Sequence, residues 1–148
     1  MTLTVRATIL QTPEPGQLEV LEERNEARRR NAAKLNQRLD GIDGLMLPCT
    51  FEGRTHVWHQ YTVRVLDNAP ITRDELSEHL ASHNIGNGMY YPKVAWDYDC
   101  YRDHELVVAD DAPNAFDIAR QVLSLPIHHG LTVGDIDRIV IAVRSAFV

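Results

Sequence analysis

The stretch Val57-Trp58-His59-Gln60-Tyr61-Thr62-Val63-Arg64-Val65-Leu66 sets the fold class. Side chains of a strand point alternately to its two faces. Here Val57, His59, Tyr61, Val63 and Val65 fall on one side, and Trp58, Gln60, Thr62, Arg64 and Leu66 on the other. A strand with one largely apolar face asks for helices to cover it, and the sequence on both sides supplies them.

Upstream, Leu18, Leu21, Asn25, Arg28, Ala32, Leu35 and Leu39 recur three and four apart, which predicts a long helix from Gln17 to about Leu39. Glu19, Glu22, Glu23 and Glu26 precede Arg28, Arg29, Arg30, Lys34 and Arg38, an order that complements the helix dipole. The stripe is polar in its middle. The helix is therefore expected to dock its ends and leave its centre against a polar surface or another chain. Gly41 and Gly44 end it, and Leu45-Met46-Leu47 reads as a short strand. Thr12-Pro13-Glu14-Pro15-Gly16 breaks the chain before the helix. Residues 1–16 are read as an N-terminal arm and 17–148 as one folded domain.

Downstream, Thr72-Arg73-Asp74-Glu75 is a capping box that opens a helix to about His83, with Asn84 as its left-handed cap. Ile85 to Tyr91 reads as a short strand loosened by Gly86 and Gly88. Pro113 opens a further helix through Phe116, Ile118, Ala119, Val122 and Leu123, stopped by Ser124-Leu125-Pro126. Thr132-Val133-Gly134-Asp135 caps a last helix striped by Ile136, Ile139, Val140, Val143 and Phe147. The predicted class is α+β: a small, largely antiparallel sheet with helices packed on one face, preceded by a long helix.

With 148 residues, the chain has the length of one domain. Its net charge of −6 argues against nucleic acid as the main partner, since phosphate binding wants a basic stripe. No apolar run approaches the ~18 residues of a membrane span. Cys49 and Cys100 lie in no CxxC motif, so a reduced, cytoplasmic protein with free thiols is expected.

No metal site is expected. His56 and His59 point to opposite faces of a strand, His79 and His83 are four apart on a helix without a third ligand, and His128-His129 follow a stop. There is no GxSxG, and Gly86-Asn87-Gly88 lacks the rest of a phosphate loop. The densest chemistry is residues 89–102, with Tyr90, Tyr91, Tyr98, Tyr101, Trp96, Asp97, Asp99, Lys93 and Arg102. Aromatic faces beside hydroxyls and carboxylates suit a sugar or other polyol; a loop pinned to the core by its rings is the other reading.

Several phrases resemble the C-terminal part of the DegT/DnrJ/EryC1/StrS family of pyridoxal-phosphate-dependent nucleotide-sugar aminotransferases. They are Asn25–Ala32 (NEARRRNA), His56–Val65 (HVWHQYTVRV), Ile85–Pro92 (IGNGMYYP), Val122–His128 (VLSLPIH), and Leu131-Thr132 with Asp135 and Ile139. They fall in the family's order and cover about residues 17–148. The resemblance implies an aminotransferase small domain in which Asn87, Tyr90, Tyr91 and Trp96 bind substrate on the sugar side. It also implies that the coenzyme and its Schiff-base lysine belong to a large N-terminal domain. The only lysines here are Lys34 and Lys93, and neither matches the family's lysine motif. The expectation is therefore no catalytic residue and no cofactor in this chain alone, with pyridoxal phosphate in the full-length family.

Tyr90 and Trp96 stand where the family has histidines; tyrosine keeps a hydrogen bond, whereas tryptophan stacks but shuttles no proton. The break at Pro13–Gly16 interrupts a helix the family runs continuously, as after a gene split or truncation. Two functions stay open. One is a small domain that works with a separately encoded large domain. The other is a non-catalytic sugar-binding or interaction module descended from the family. Surface left bare by the large domain predicts self-association, as in a homodimer.

Overall fold

Tyr61, Val63 and Val65 are sealed from solvent, and so are Leu123 and Leu125 beside them. These side chains form the inner face of a three-stranded antiparallel sheet in the order β1-β2-β3. The strands are β1 (Leu45–Met46), β2 (Tyr61–Val65) and β3 (Val122–Leu125). The computed structural model describes residues 15–109 and 111–148. Residues 1–14, which hold nearly all of the predicted arm, lie outside the described residues.

The register is Leu45↔Val65 between β1 and β2, and Tyr61↔Leu125, Thr62↔Ser124 and Val63↔Leu123 between β2 and β3. The helices are α1 (Pro15–Glu19), α2 (Leu21–Leu39), α3 (Arg73–Ser82), α4 (Asp99–Arg102), α5 (Pro113–Gln121) and α6 (Val133–Ala146). Leu35 and Leu39 of α2, Leu76 and Leu80 of α3, and Ile136, Ile139 and Val143 of α6 join the sheet in one apolar core. This is the α+β arrangement expected. No helix among the described residues is long and apolar enough to cross a membrane.

The local signals that start helices hold. Thr72 and Glu75 form a reciprocal capping box on α3, as do Thr132 and Asp135 on α6. Asn84 takes the left-handed conformation, with φ 56°. Four expectations change. The helix starts at Pro15, inside the predicted break, is interrupted at Val20, and docks only its second half: Asn31, Ala32, Leu35 and Leu39 are buried, whereas Leu18 and Leu21 are exposed. The stripe turns polar at Asn25 and Arg28, which weakens the drive to bury what precedes them.

The central strand is shorter than 57–66, because Trp58 adopts φ 49°. Its N–H donates to His56 Nδ1 at 2.8 Å. The left-handed step reverses the alternation, so Trp58 is buried at 6% exposure and Val57 is exposed at 53%. The predicted strand over 85–91 reduces to one bridge, Gly88↔Ser124. Finally, α5 stops at Gln121, and Val122–Leu125 is β3 rather than the end of that helix. A short apolar run satisfies either period; pairing with β2 selects the strand.

Polar clamps lock the elements. Tyr61 Oη donates to Asn36 Oδ1 at 2.6 Å, joining β2 to α2. Asn31 Nδ2 donates to the His128 carbonyl at 3.0 Å. Arg73, nearly buried, donates to the carbonyls of Ala119 and Val122, both at 3.2 Å, and so fixes the start of α3 to the α5–β3 junction.

Candidate functional site

The segment after α3 builds a cleft from its backbone outward. Ile85 is buried, and its N–H donates to the Leu80 carbonyl at 2.9 Å. Gly86, Asn87 and Gly88 then cross to the edge of β3. Gly88 and Ser124 exchange two backbone hydrogen bonds, at 3.0 and 2.9 Å. Tyr90 folds back over this crossing. A Cβ at Gly88 would lie 3.0 Å from the Tyr90 ring, so the absence of a side chain there makes room for the ring.

The result is an open cleft of about 370 Å³. Gly86, Asn87, Gly88 and Tyr90 wall one side, and His59, Gln60 and residues 124–127 the other. A smaller hollow of about 50 Å³ shares Gln60, Gly88 and Tyr90 with it and is also lined by Thr62 and Tyr91. Ser124 borders both spaces; its Oγ lies 2.8 Å from Thr62 Oγ1 across the β2–β3 pair.

Of the residues expected from the sequence, Asn87 and Tyr90 meet in the larger cleft and Tyr91 in the smaller one. Trp96 lines neither; it packs edge-on against Phe116 with ring centroids 6.1 Å apart. His59, Gln60 and Ser124 were not singled out as site residues. Their only sequence signal was membership of two of the phrases quoted above, and strand pairing is what brings them to Asn87 and Tyr90.

The cleft offers amide, hydroxyl, phenol and imidazole groups. Such a set hydrogen-bonds hydroxyls over an aromatic face. Pyridoxal phosphate needs an amine to tether it, an acid for the pyridine nitrogen and cations or a helix start for the phosphate. Neither Lys34 nor Lys93 lines the cleft, and neither an arginine nor a carboxylate does. This donor set does not fit the tethered coenzyme.

Other polar groupings serve the fold. Arg120 grips both oxygens of Asp67, at 2.7 and 2.9 Å, and Gln121 donates to the same carboxylate at 2.7 Å. Arg120 first, and Gln121 second, lower the Asp67 pKa to about 2. The rings of His79 and His83 lie 4.4 Å apart. His79 Nε2 is 3.0 Å from Ser145 Oγ, and His83 Nδ1 is 2.8 Å from the His79 carbonyl.

Comparison with known proteins bears on the family and the fold. The dTDP-3-amino-3,4,6-trideoxy-alpha-D-glucose transaminase of Streptomyces venezuelae is 36% identical over 114 residues, which are 77% of this chain and 28% of that protein. The spore coat polysaccharide biosynthesis protein SpsC of Bacillus subtilis (strain 168) is 28% identical over 131 residues, 87% of this chain and 33% of that one. The crystal structure of S. venezuelae DesV in complex with a ketimine intermediate matches with a TM-score of 0.77 at 35% identity, over 87% of this chain and 33% of DesV. The chain thus spans about a third of the length of the relatives it matches. The model of the DegT/DnrJ/EryC1/StrS aminotransferase family matches residues 5–144, and with the shared fold this makes the chain a member of that family.

Proposed function

We propose that this chain is the small domain of a pyridoxal-phosphate-dependent nucleotide-sugar aminotransferase, with residues 1–16 as an arm and 17–148 as the domain. It supplies the sugar-facing wall of the active site, while a large domain supplies the coenzyme and its lysine. The observation that carries this reading is the cleft between Gly86–Tyr90 and β3: it is polar and ring-faced, and neither lysine of the chain lines it. Asn87, Tyr90 and Tyr91 are the sugar-side residues, and Trp96 flanks them from the same loop. The chain is non-catalytic alone.

The test is reconstitution. The chain is mixed with a family large domain and the coenzyme, and amino transfer to a keto-sugar nucleotide is assayed. Activity in the mixture and in neither part supports the proposal; activity of the 148-residue chain alone overturns it.

A second reading is a sugar-binding module without catalysis. It is favoured by Tyr90, which lines the cleft at a place where the family has a histidine, and by Trp96, which lines neither space. In both readings the chain itself takes the sugar weakly, and they differ in whether a large domain adds turnover. Leu106 and Val108 are 81% and 89% exposed in the segment that also bares Tyr91, Phe116 and Ile118, so a homodimer is proposed to cover apolar surface there. Sedimentation of the purified chain as a monomer at all concentrations would overturn it. Two exposed free thiols fit a reducing, cytoplasmic setting.

A further inference from the structure

Asn87 lines the cleft, yet its side chain is committed inside the protein. Its Oδ1 accepts from Ser77 Oγ at 2.7 Å. Its Nδ2 donates to the Ser77 carbonyl at 3.1 Å and to the Ile85 carbonyl at 3.4 Å. A primary amide has two donor hydrogens and two acceptor positions, so one lone pair remains for anything outside. Ser77 sits on α3 and does not line the cleft; its hydrogen bonds to Asn87 link it to the cleft wall.

The neighbouring residues show what this arrangement holds in place. Gly88 is stitched to Ser124 by two backbone bonds. Ile85 is tied to α3 through the Leu80 carbonyl. Between these fixed points, the N–H groups of Gly86 and Asn87 make no hydrogen bond among the described residues. A Cβ at Gly86 would meet nothing within 4 Å. A segment with two glycines has more backbone freedom than one whose residues all carry side chains, and ordering it at the moment of binding would weaken affinity.

We infer that Ser77 and Asn87 are positioning residues: their reciprocal clasp fixes the 86–88 backbone to α3, so that the N–H groups of Gly86 and Asn87 stand ready to donate to an oxygen of the sugar ligand. This rests on the sugar-facing reading of the cleft. Ser77 then acts on the ligand only through Asn87, and the two residues behave as one unit.

The test uses the full chain and the variants Asn87→Ala, Ser77→Ala, Ser77→Thr and the double alanine variant. Amide hydrogen exchange reads the clasp, and chemical-shift titration with dTDP-glucose reads the cleft. Each alanine variant should speed exchange at Gly88 by about tenfold, the worth of one or two hydrogen bonds. The double variant should be no faster than Asn87→Ala, Ser77→Thr should restore wild-type exchange, and the Ile139 and Val140 amides of α6 should not move. Affinity for dTDP-glucose should fall in step with Gly88 protection. Unchanged Gly88 exchange, additive effects in the double variant, or equal acceleration in α6 would overturn the clasp. A wild-type chain that shows no dTDP-glucose shifts while the exchange pattern holds would sink the sugar reading and leave the clasp standing. Variants that lose the pattern yet bind as wild type would sink the positioning role and leave the sugar reading.

Discussion

Gly44 is where a single side chain would do most damage. Its φ is 79°, and a Cβ there would lie 2.5 Å from the Ala69 Cα. The left-handed backbone and the collision act together, so Gly44→Ala should lower stability by about 3 kcal/mol or more in urea denaturation. Tyr61 is the largest sealed side chain of the core, and burial pushes its phenol far above the usual tyrosine range. Tyr61→Phe leaves Asn36 Oδ1 without its donor and should cost about 1–2 kcal/mol by the same measurement. Asp67 works on the acid side. Its folded pKa of about 2 lies below the ordinary 3.8, so its stabilisation is present above pH 3.8 and is lost as the pH falls towards 2. Hydrogen bonds from Thr72 and Thr132 likewise lower Glu75 and Asp135. The urea midpoint should therefore drop across that window, and Asp67→Asn should flatten part of the drop.

Among the elements, the 86–88 crossing and β3 carry the most consequence. Gly86 has no positive φ and open space where a Cβ would stand. Gly86→Ala should therefore leave the fold intact, or slightly firmer through a stiffer unfolded chain, while a methyl group intrudes on the cleft. The expected outcome is an unchanged or raised urea midpoint with weaker dTDP-glucose shifts; equal binding would argue that the ligand does not approach this backbone. The helix starts could be read from the sequence because a capping box is closed by residues three apart: Thr72 with Glu75, Thr132 with Asp135. Val122–Leu125 could not. Its four residues suit a helix or a strand, and the deciding contact is with Thr62, 62 positions away. The face of Trp58 differs from the alternation for a related reason: alternation predicts faces only while the backbone stays extended, and φ 49° ends that.

At the scale of the molecule, the chain folds as a core of α2, α3 and α6 on one sheet face, and it matches a third of its relatives' length. The proposed division of labour gives neither lysine a chemical role. Lys34 lies exposed on α2 and Lys93 exposed on the aromatic loop. A Lys34→Ala/Lys93→Ala variant should therefore support the same turnover as the wild type when combined with a large domain. Loss of more than about tenfold in kcat, some 1.4 kcal/mol of barrier, would place an essential amine in this chain.

The family, the α+β class, the caps and two of the cleft residues, Asn87 and Tyr90, were legible in the linear order of residues. Each depends on neighbours a few positions apart or on short phrases kept in a fixed sequence. The cleft as an object was not legible. It exists because Gly88 pairs with Ser124, because β3 brings Ser124 against Thr62, and because Ser77 reaches Asn87 from a helix. Hydrogen bonds between distant segments form only once the apolar core has brought those segments together, and no local pattern records which partner each will find.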